Sequence, residues 1–249
     1  MPVPKKTKSS SVLRIKSVGQ FLDRLKELEN LSEYALFRGQ EQDWPLLPKI
    51  GRINLKNSDF ESAEKEMLND FKRLSRPYLP RPVLNNWEWL ALAQHHGMAT
   101  RLLDWTTNPL AAIWFAVSKP IKRGVGVVWL LNAPEESIIK ANETENTDPF
   151  EQTVTRIFQP HITTNRIASQ NGWFTSHRYS KKKSNFVKFE WNLRYKDYLK
   201  KFIIPLEYFS DLRAELDRLG INRLSLFPDL DGAAHHSEWL NSYLEDENL

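Results

Sequence analysis

The chain is 249 residues long, a length that one hydrophobic core can organise, and its 41% apolar and 27% charged content is ordinary for a globular protein. It has no cysteine, which excludes disulfides, thiolate nucleophiles, iron–sulfur clusters and cysteine-ligated zinc. The net charge of +4 is too small to single out a nucleic-acid binder, and the longest strongly apolar run, Pro109 to Val117, falls well short of the roughly 20 residues needed to span a bilayer.

Residues 1–16 open with MPVPKKTKSSS, basic and polar with no apolar stretch behind, and predict a flexible tail rather than a secretory signal. From Ser17 to Glu29, apolar residues at Val18, Phe21, Leu22, Leu25 and Leu28 repeat at helical spacing, with Ser17 as N-cap. Tyr34 to Phe37 predicts a short strand that runs into a turn at Arg38-Gly39. A second amphipathic helix is expected from Asp59 to Leu74, ending before Pro77, Pro80 and Pro82.

Asn86 to His96 predicts a third helix, closed by Gly97 in a left-handed conformation. A loop to Thr107 follows, and Asn108 then caps a helix with Pro109 in its first turn and a buried stripe of Leu110, Ile113, Trp114 and Val117. Gly124-Val125-Gly126 starts a strand through Leu131. The polar, acidic segment 132–149 is expected to be a mobile loop or insertion. Lys201 to Ile204 predicts a strand stopped by Pro205. A helix from Tyr208 to Leu219, the turn Pro228 to Gly232 and a last helix to about Leu244 complete the chain. Helices and short strands mix without regular alternation, so the expected class is α+β, a single domain over residues 17–244.

Four stretches hold residue types that carry chemistry. Arg38 at a strand end has five donors suited to a diphosphate or ribose, and Gly39 lets a ligand approach the backbone; a structural salt bridge is the competing reading. Around Gln94-His95-His96-Gly97, helical spacing points His96 at the core and His95 at the rim. Thr100, Arg101, Asp104, Trp105 and Thr106 put hydroxyls, a guanidinium, a carboxylate and an indole before a helix N-terminus, where backbone N–H groups favour an anion. The alternative is a structural corner in which Asp104 pairs with Arg101 and Trp105 fills the core. Asp229 and Asp231 are paired carboxylates that suit either a divalent cation or an Asp-Gly turn. No glycine-rich phosphate loop and no serine-elbow motif is present.

These segments resemble the FRG-domain family. The naming motif is Phe37-Arg38-Gly39, followed here by Gln40, then Trp44-Pro45-Leu46 and the string LAQHHGMATRLLDWTTNPLAAIWFA. Arg166-Ile167, Gln170, Gly172 and Phe174 look like the family's downstream block, and Leu226 to Gly232 like its C-terminal signature, so the likeness spans about residues 17 to 240.

The resemblance implies a bacterial or phage protein with toxin–antitoxin or phage-defence links. Its order of signals is similar to ADP-ribosyltransferases, which implies a small mixed or antiparallel sheet with several surrounding helices and NAD as the ligand. On that analogy Arg38 matches the early arginine and Thr100 to Thr106 a hydroxyl-rich strand leading to a helix, while Gln170 stands near a late glutamate. A glutamine cannot act as a base, so Asp104 or Asp229 would have to supply the charge.

The expected catalytic set is therefore Arg38, His95, Asp104 and Gln170. The expected binding set is Arg38, Gly39, Gln40, Thr100, Arg101, Trp105 and Thr106, with no metal site. The leading expectation is an NAD-directed, ADP-ribosyltransferase-like effector in the cytoplasm, away from membranes, with an antitoxin or defence-system protein as partner. A non-catalytic nucleotide-binding sensor, and a nucleic-acid-directed metal-dependent nuclease built on Asp229 and Asp231, are the alternatives.

Overall fold

A computed structural model describes residues 13–28, 31–56, 59–79, 82–161 and 171–247. In chain order these form β1 (Leu13–Arg14), α1 (Val18–Lys26), β2 (Ala35–Gln40), a 3-10 turn at Lys49–Arg52, α2 (Phe60–Ser75) and α3 (Asn86–His95). Then come β3 (Leu102–Thr106), α4 (Pro109–Val117), β4 (Val125–Asn132), β5 (Ile138–Ile139), α5 (Ala141–Thr144), β6 (Arg156–Phe158) and β7 (Gly172–Ser176). β8 (Tyr179–Ser180), β9 (Asn185–Phe186), β10 (Leu199–Pro205), α6 (Phe209–Arg218), α7 (Arg223–Leu226) and α8 (Leu230–Asn241) follow.

Eight strands form one mixed sheet in the order β1-β10-β4-β2-β3-β7-β6-β5, with parallel pairing at its two ends and antiparallel pairing between. The class is α with β, as the element pattern predicts, and the sheet is larger than the small one expected. β4 explains why. Its sequence VGVVWLLN is nearly all apolar, the pattern of a strand covered on both faces. Val128 and Leu130 join the cluster that holds α4 and α6, while Val127, Trp129 and Leu131 join the cluster on the opposite face.

Two boundaries differ from the sequence reading. Leu13–Arg14 pair in parallel with Phe202 and Ile203, and Ile15 is fully buried, so residues 13–15 of the expected 1–16 tail belong to the fold. Segment 132–149, expected as a mobile loop, contributes β5 to the sheet edge with Ile138 and Ile139 buried. Its polar composition hides this because only a few of its residues face inward.

The sheet is not equally well paired along its width. β2 shares six register positions with β4, and β3 shares five with β7. β2 and β3 share one, Phe37 opposite Thr106. They share no other register position, and residues of both strands line the cleft described next. α4 packs behind it. Asn108 caps this helix through Leu110 and Ala111 N–H at 3.0 and 3.3 Å, and six of its nine residues are buried, more than a single stripe, though Leu110 of the expected stripe is only half-buried.

Candidate functional site

Arg38 lies on β2 next to Phe37, the residue of that strand in register with β3, and stands opposite Trp129 of β4. Its Nη1 reaches across and donates to the Asp104 backbone oxygen at 2.8 Å and to Asp104 Oδ2 at 3.4 Å. This ion pair is not sealed, because the Asp104 side chain is 59% exposed. Arg38 Nε is buried and has no hydrogen-bond partner among the described residues. A buried donor left unmade costs on the order of 1–3 kcal/mol.

Asp104 is held from a second side. Gln94, near the end of α3, donates its Nε2 to Asp104 Oδ1 at 2.7 Å, and Thr100 Oγ1 donates to Gln94 Oε1, which fixes the amide's orientation. Thr100 Oγ1 in turn accepts from Leu102 N at 3.1 Å. α3 ends as the sequence predicts. Gly97 sits at φ +86°, and Met98 N donates back to Ala93 O at 2.9 Å.

The cleft between these elements has a volume of about 390 Å³. Arg38, Gly39, His95, Asp104, Trp105 and Thr106, all expected from the sequence, line it. So do Gln94, from a stretch that the sequence reading singled out, and Lys49, Arg52, Phe115, Trp173 and Phe174, to which it gave no site role. Among the described residues Asp104 is the one carboxylate on its walls, against the three cations Arg38, Lys49 and Arg52. Arg52's pKa is held below the usual guanidinium range, first by partial burial and then by the charge of Arg38.

Several expected roles change with the geometry. Arg101 is 2% exposed and makes a bidentate ion pair with Glu64, with Nη1 donating to Pro149 O at 3.1 Å and its guanidinium over the Phe150 ring. Its donors are committed inside the core, so it is a structural group and not a ligand contact. The pairing of Asp104 with Arg101 is corrected too, since Asp104 pairs with Arg38. Gln40 is buried and accepts from Trp129 Nε1 at 3.0 Å, away from the cleft. Thr100 is fully buried and acts through Gln94 rather than on an occupant.

Trp105 does reach the cleft, but it is 3% exposed, with Nε1 donating to Thr175 Oγ1 at 3.0 Å and its ring edge-on to Phe189. The half-buried Trp173 is the more available aromatic wall. Thr106 Oγ1 accepts from Asn108 N at 3.0 Å. The α4 N-terminus expected to favour an anion is already capped by Asn108. Gly39 lines the cleft, yet its missing Cβ serves the other side: a Cβ there would come within 2.8 Å of Ala116 N and of Phe115 Cβ on α4. His96, expected to face the core, is exposed, and His95 is the half-buried member of the pair.

Gln170 lies outside the described residues, as do Arg166 and Ile167. Asp229 is the N-cap of α8, accepting from Gly232 N at 2.7 Å, which gives the Asp-Gly turn a backbone reason. It does not line the cleft. Among the described residues no group of three or more metal-ligating side chains comes together. No helix among them is long and apolar enough to cross a membrane.

Residues 33–124 match the family model of the FRG domain. The match covers β2, α3, β3 and α4, and with them Arg38, Lys49, Arg52, Gln94 and Asp104, but not Trp173. No curated protein and no solved structure matches the chain.

Proposed function

Residues 33–124 of the chain are an FRG domain, and on that footing we propose that the cleft binds a nucleotide and carries out ADP-ribosyl transfer with NAD as substrate. One observation supports this most. Arg38 and Asp104, 66 positions apart, meet over a cleft that also gathers two further cations, Lys49 and Arg52, and aromatic walls. Cations suit a diphosphate, half-buried rings suit a planar base, and a partly exposed carboxylate suits a ribose. The residues present therefore fit NAD in chemical type, and the size of the cleft falls in the range of small-molecule sites.

In the transfer, the bond between ribose C1′ and the nicotinamide nitrogen breaks and the ring leaves with the bonding pair. An acceptor oxygen or nitrogen bonds C1′ and gives up its proton. Asp104 offsets the positive charge that builds on the ribose and takes that proton. Gln94 and Arg38 hold its two oxygens from opposite sides, so the carboxylate is oriented before substrate arrives. His95 on the cleft wall is a second group for moving a proton. Gln170 keeps the proposed role of bonding a ribose hydroxyl. The resemblance adds the setting, an effector in toxin–antitoxin or phage-defence systems that is held in check by a partner protein.

The test is nicotinamide release from NAD by the purified chain. Arg38→Ala and Asp104→Asn should each lower the rate by about 100-fold or more, the loss typical of a group that stabilises transition-state charge, with melting curves confirming that the variants fold. Binding of NAD without release would make the chain a non-catalytic nucleotide sensor. Neither binding nor release would end the nucleotide reading.

A further inference from the structure

Lys49 and Arg52, two of the three cations that line the cleft, stand on one 3-10 turn. Such a helix has about three residues per turn, so positions i and i+3 eclipse and Lys49 and Arg52 share one edge. That edge faces the cleft. Between them Ile50 is 1% exposed, packed in a cluster with Ala99 and Phe186, and its N–H donates to Thr100 O at 3.3 Å. The turn is thus anchored by its apolar residue and presents two cations. Lys49 is further fixed by donating its Nζ to Gly97 O at 2.7 Å, at the carbonyl end of α3 where a cation is favoured.

Arg38, with its buried, unpartnered Nε, lines the same cleft. Three positive groups thus converge on a space where, among the described residues, one carboxylate answers them, and that carboxylate is bonded to Arg38 and Gln94. Like charges held together without counter-charge are unfavourable, and they persist where a bound anion relieves them.

We propose that the Lys49–Arg52 turn and Arg38 form a phosphoryl-binding subsite that grips the diphosphate of a nucleotide occupying the cleft. The inference deepens the nucleotide reading and rests on it for the occupant, but the subsite itself rests on the cations. Lys49 and Arg52 supply two of the cations of this grip, and Arg38 the third. Because neither residue of the turn contacts Asp104, the subsite governs affinity for phosphate-bearing ligands and not the chemistry at the ribose.

Calorimetric titration of the full chain with ADP-ribose, inorganic pyrophosphate and adenosine separates the possibilities. ADP-ribose should bind at least about tenfold more tightly than adenosine, and pyrophosphate should compete with it. Lys49→Met and Arg52→Ala should each weaken ADP-ribose by about tenfold, the weight of one charge-assisted hydrogen bond, while leaving adenosine unchanged. Both residues are at or near the surface, and a thermal melt of each variant checks that the fold is intact. If the variants bind ADP-ribose as well as the wild type does, the subsite is wrong even where NAD is turned over. If pyrophosphate binds through Lys49 and Arg52 but NAD is neither bound nor cleaved, the subsite stands and the NAD reading fails. If no phosphate-bearing probe binds the wild type, the subsite is overturned.

Discussion

His177 is 2% exposed, with Nε2 2.9 Å from Thr175 Oγ1 and Phe189 against its ring. Burial first, then the charges of Arg38 and Arg101, push its pKa down to about 3. An imidazole in the unfolded chain titrates near 6.5, so between the two values the unfolded state binds a proton that the folded state refuses. Stability therefore rises with pH across that window and is lost as pH falls through it, by about 1.4 kcal/mol per unit from this one group. Urea unfolding from about pH 4 to 6 should show that slope, and His177→Gln should reduce it by about one proton's worth. An unchanged slope in the variant would show that the imidazole is not held neutral.

Arg38 and Arg101 show what single residues reveal before folding is known. Both arginines stand in motif-rich stretches, and spacing gave each a chance of being a ligand group or a buried ion pair. The deciding partner of Arg101 is Glu64 on α2, and nothing local in the sequence indicates it. The same holds for Lys49 and Arg52. Their i, i+3 spacing beside a buried isoleucine is a readable signal, but only once the turn is known to be 3-10.

At the scale of elements, caps make the helices legible. Ser17, Asn108 and Asp229 each accept a backbone N–H at a helix start, and Gly97 and Gly220 take positive φ at helix ends. Replacing Asn108 or Asp229 by alanine should cost about 1 kcal/mol each in chemical denaturation. For Asp229 the loss should be the same with and without magnesium. A magnesium-induced rise in wild-type melting temperature that Asp229→Ala abolishes would instead restore the metal-site reading. Strands are less legible than helices. Residues 97–107 carry polar groups that read as a loop, yet Leu102–Thr106 is a strand because β7 pairs with all five of its positions. Pairing of that kind is written in a segment about 70 residues away, as the Trp105–Thr175 bond illustrates.

At the scale of the molecule, the mixed α and β class was readable from the element pattern, and segments 37–39 and 94–106, singled out from residue types, line one cleft. The full cleft was not readable, because Lys49, Arg52 and Trp173 join it only through the order of strands. That order also yields a prediction about dynamics. The amides of β2 and β3 around Phe37 and Thr106 have the fewest cross-strand neighbours in the middle of the sheet, so they should exchange with deuterium faster than those of β4. Saturating ADP-ribose should slow exchange at β2 and β3 while leaving β4 and β10 nearly unchanged. Equal protection everywhere would mean that the sheet opens only as a whole.

With a single residue pair at the seam, the two better-paired halves of the sheet should flex about it more readily than within themselves. An occupant that grips Arg38 on one half and the carboxylate on the other works as a splint, and part of its binding free energy goes into fixing the angle between them. Substitutions that loosen or tighten the Phe37–Thr106 seam would then alter how firmly the occupant is held while leaving every group that touches it in place.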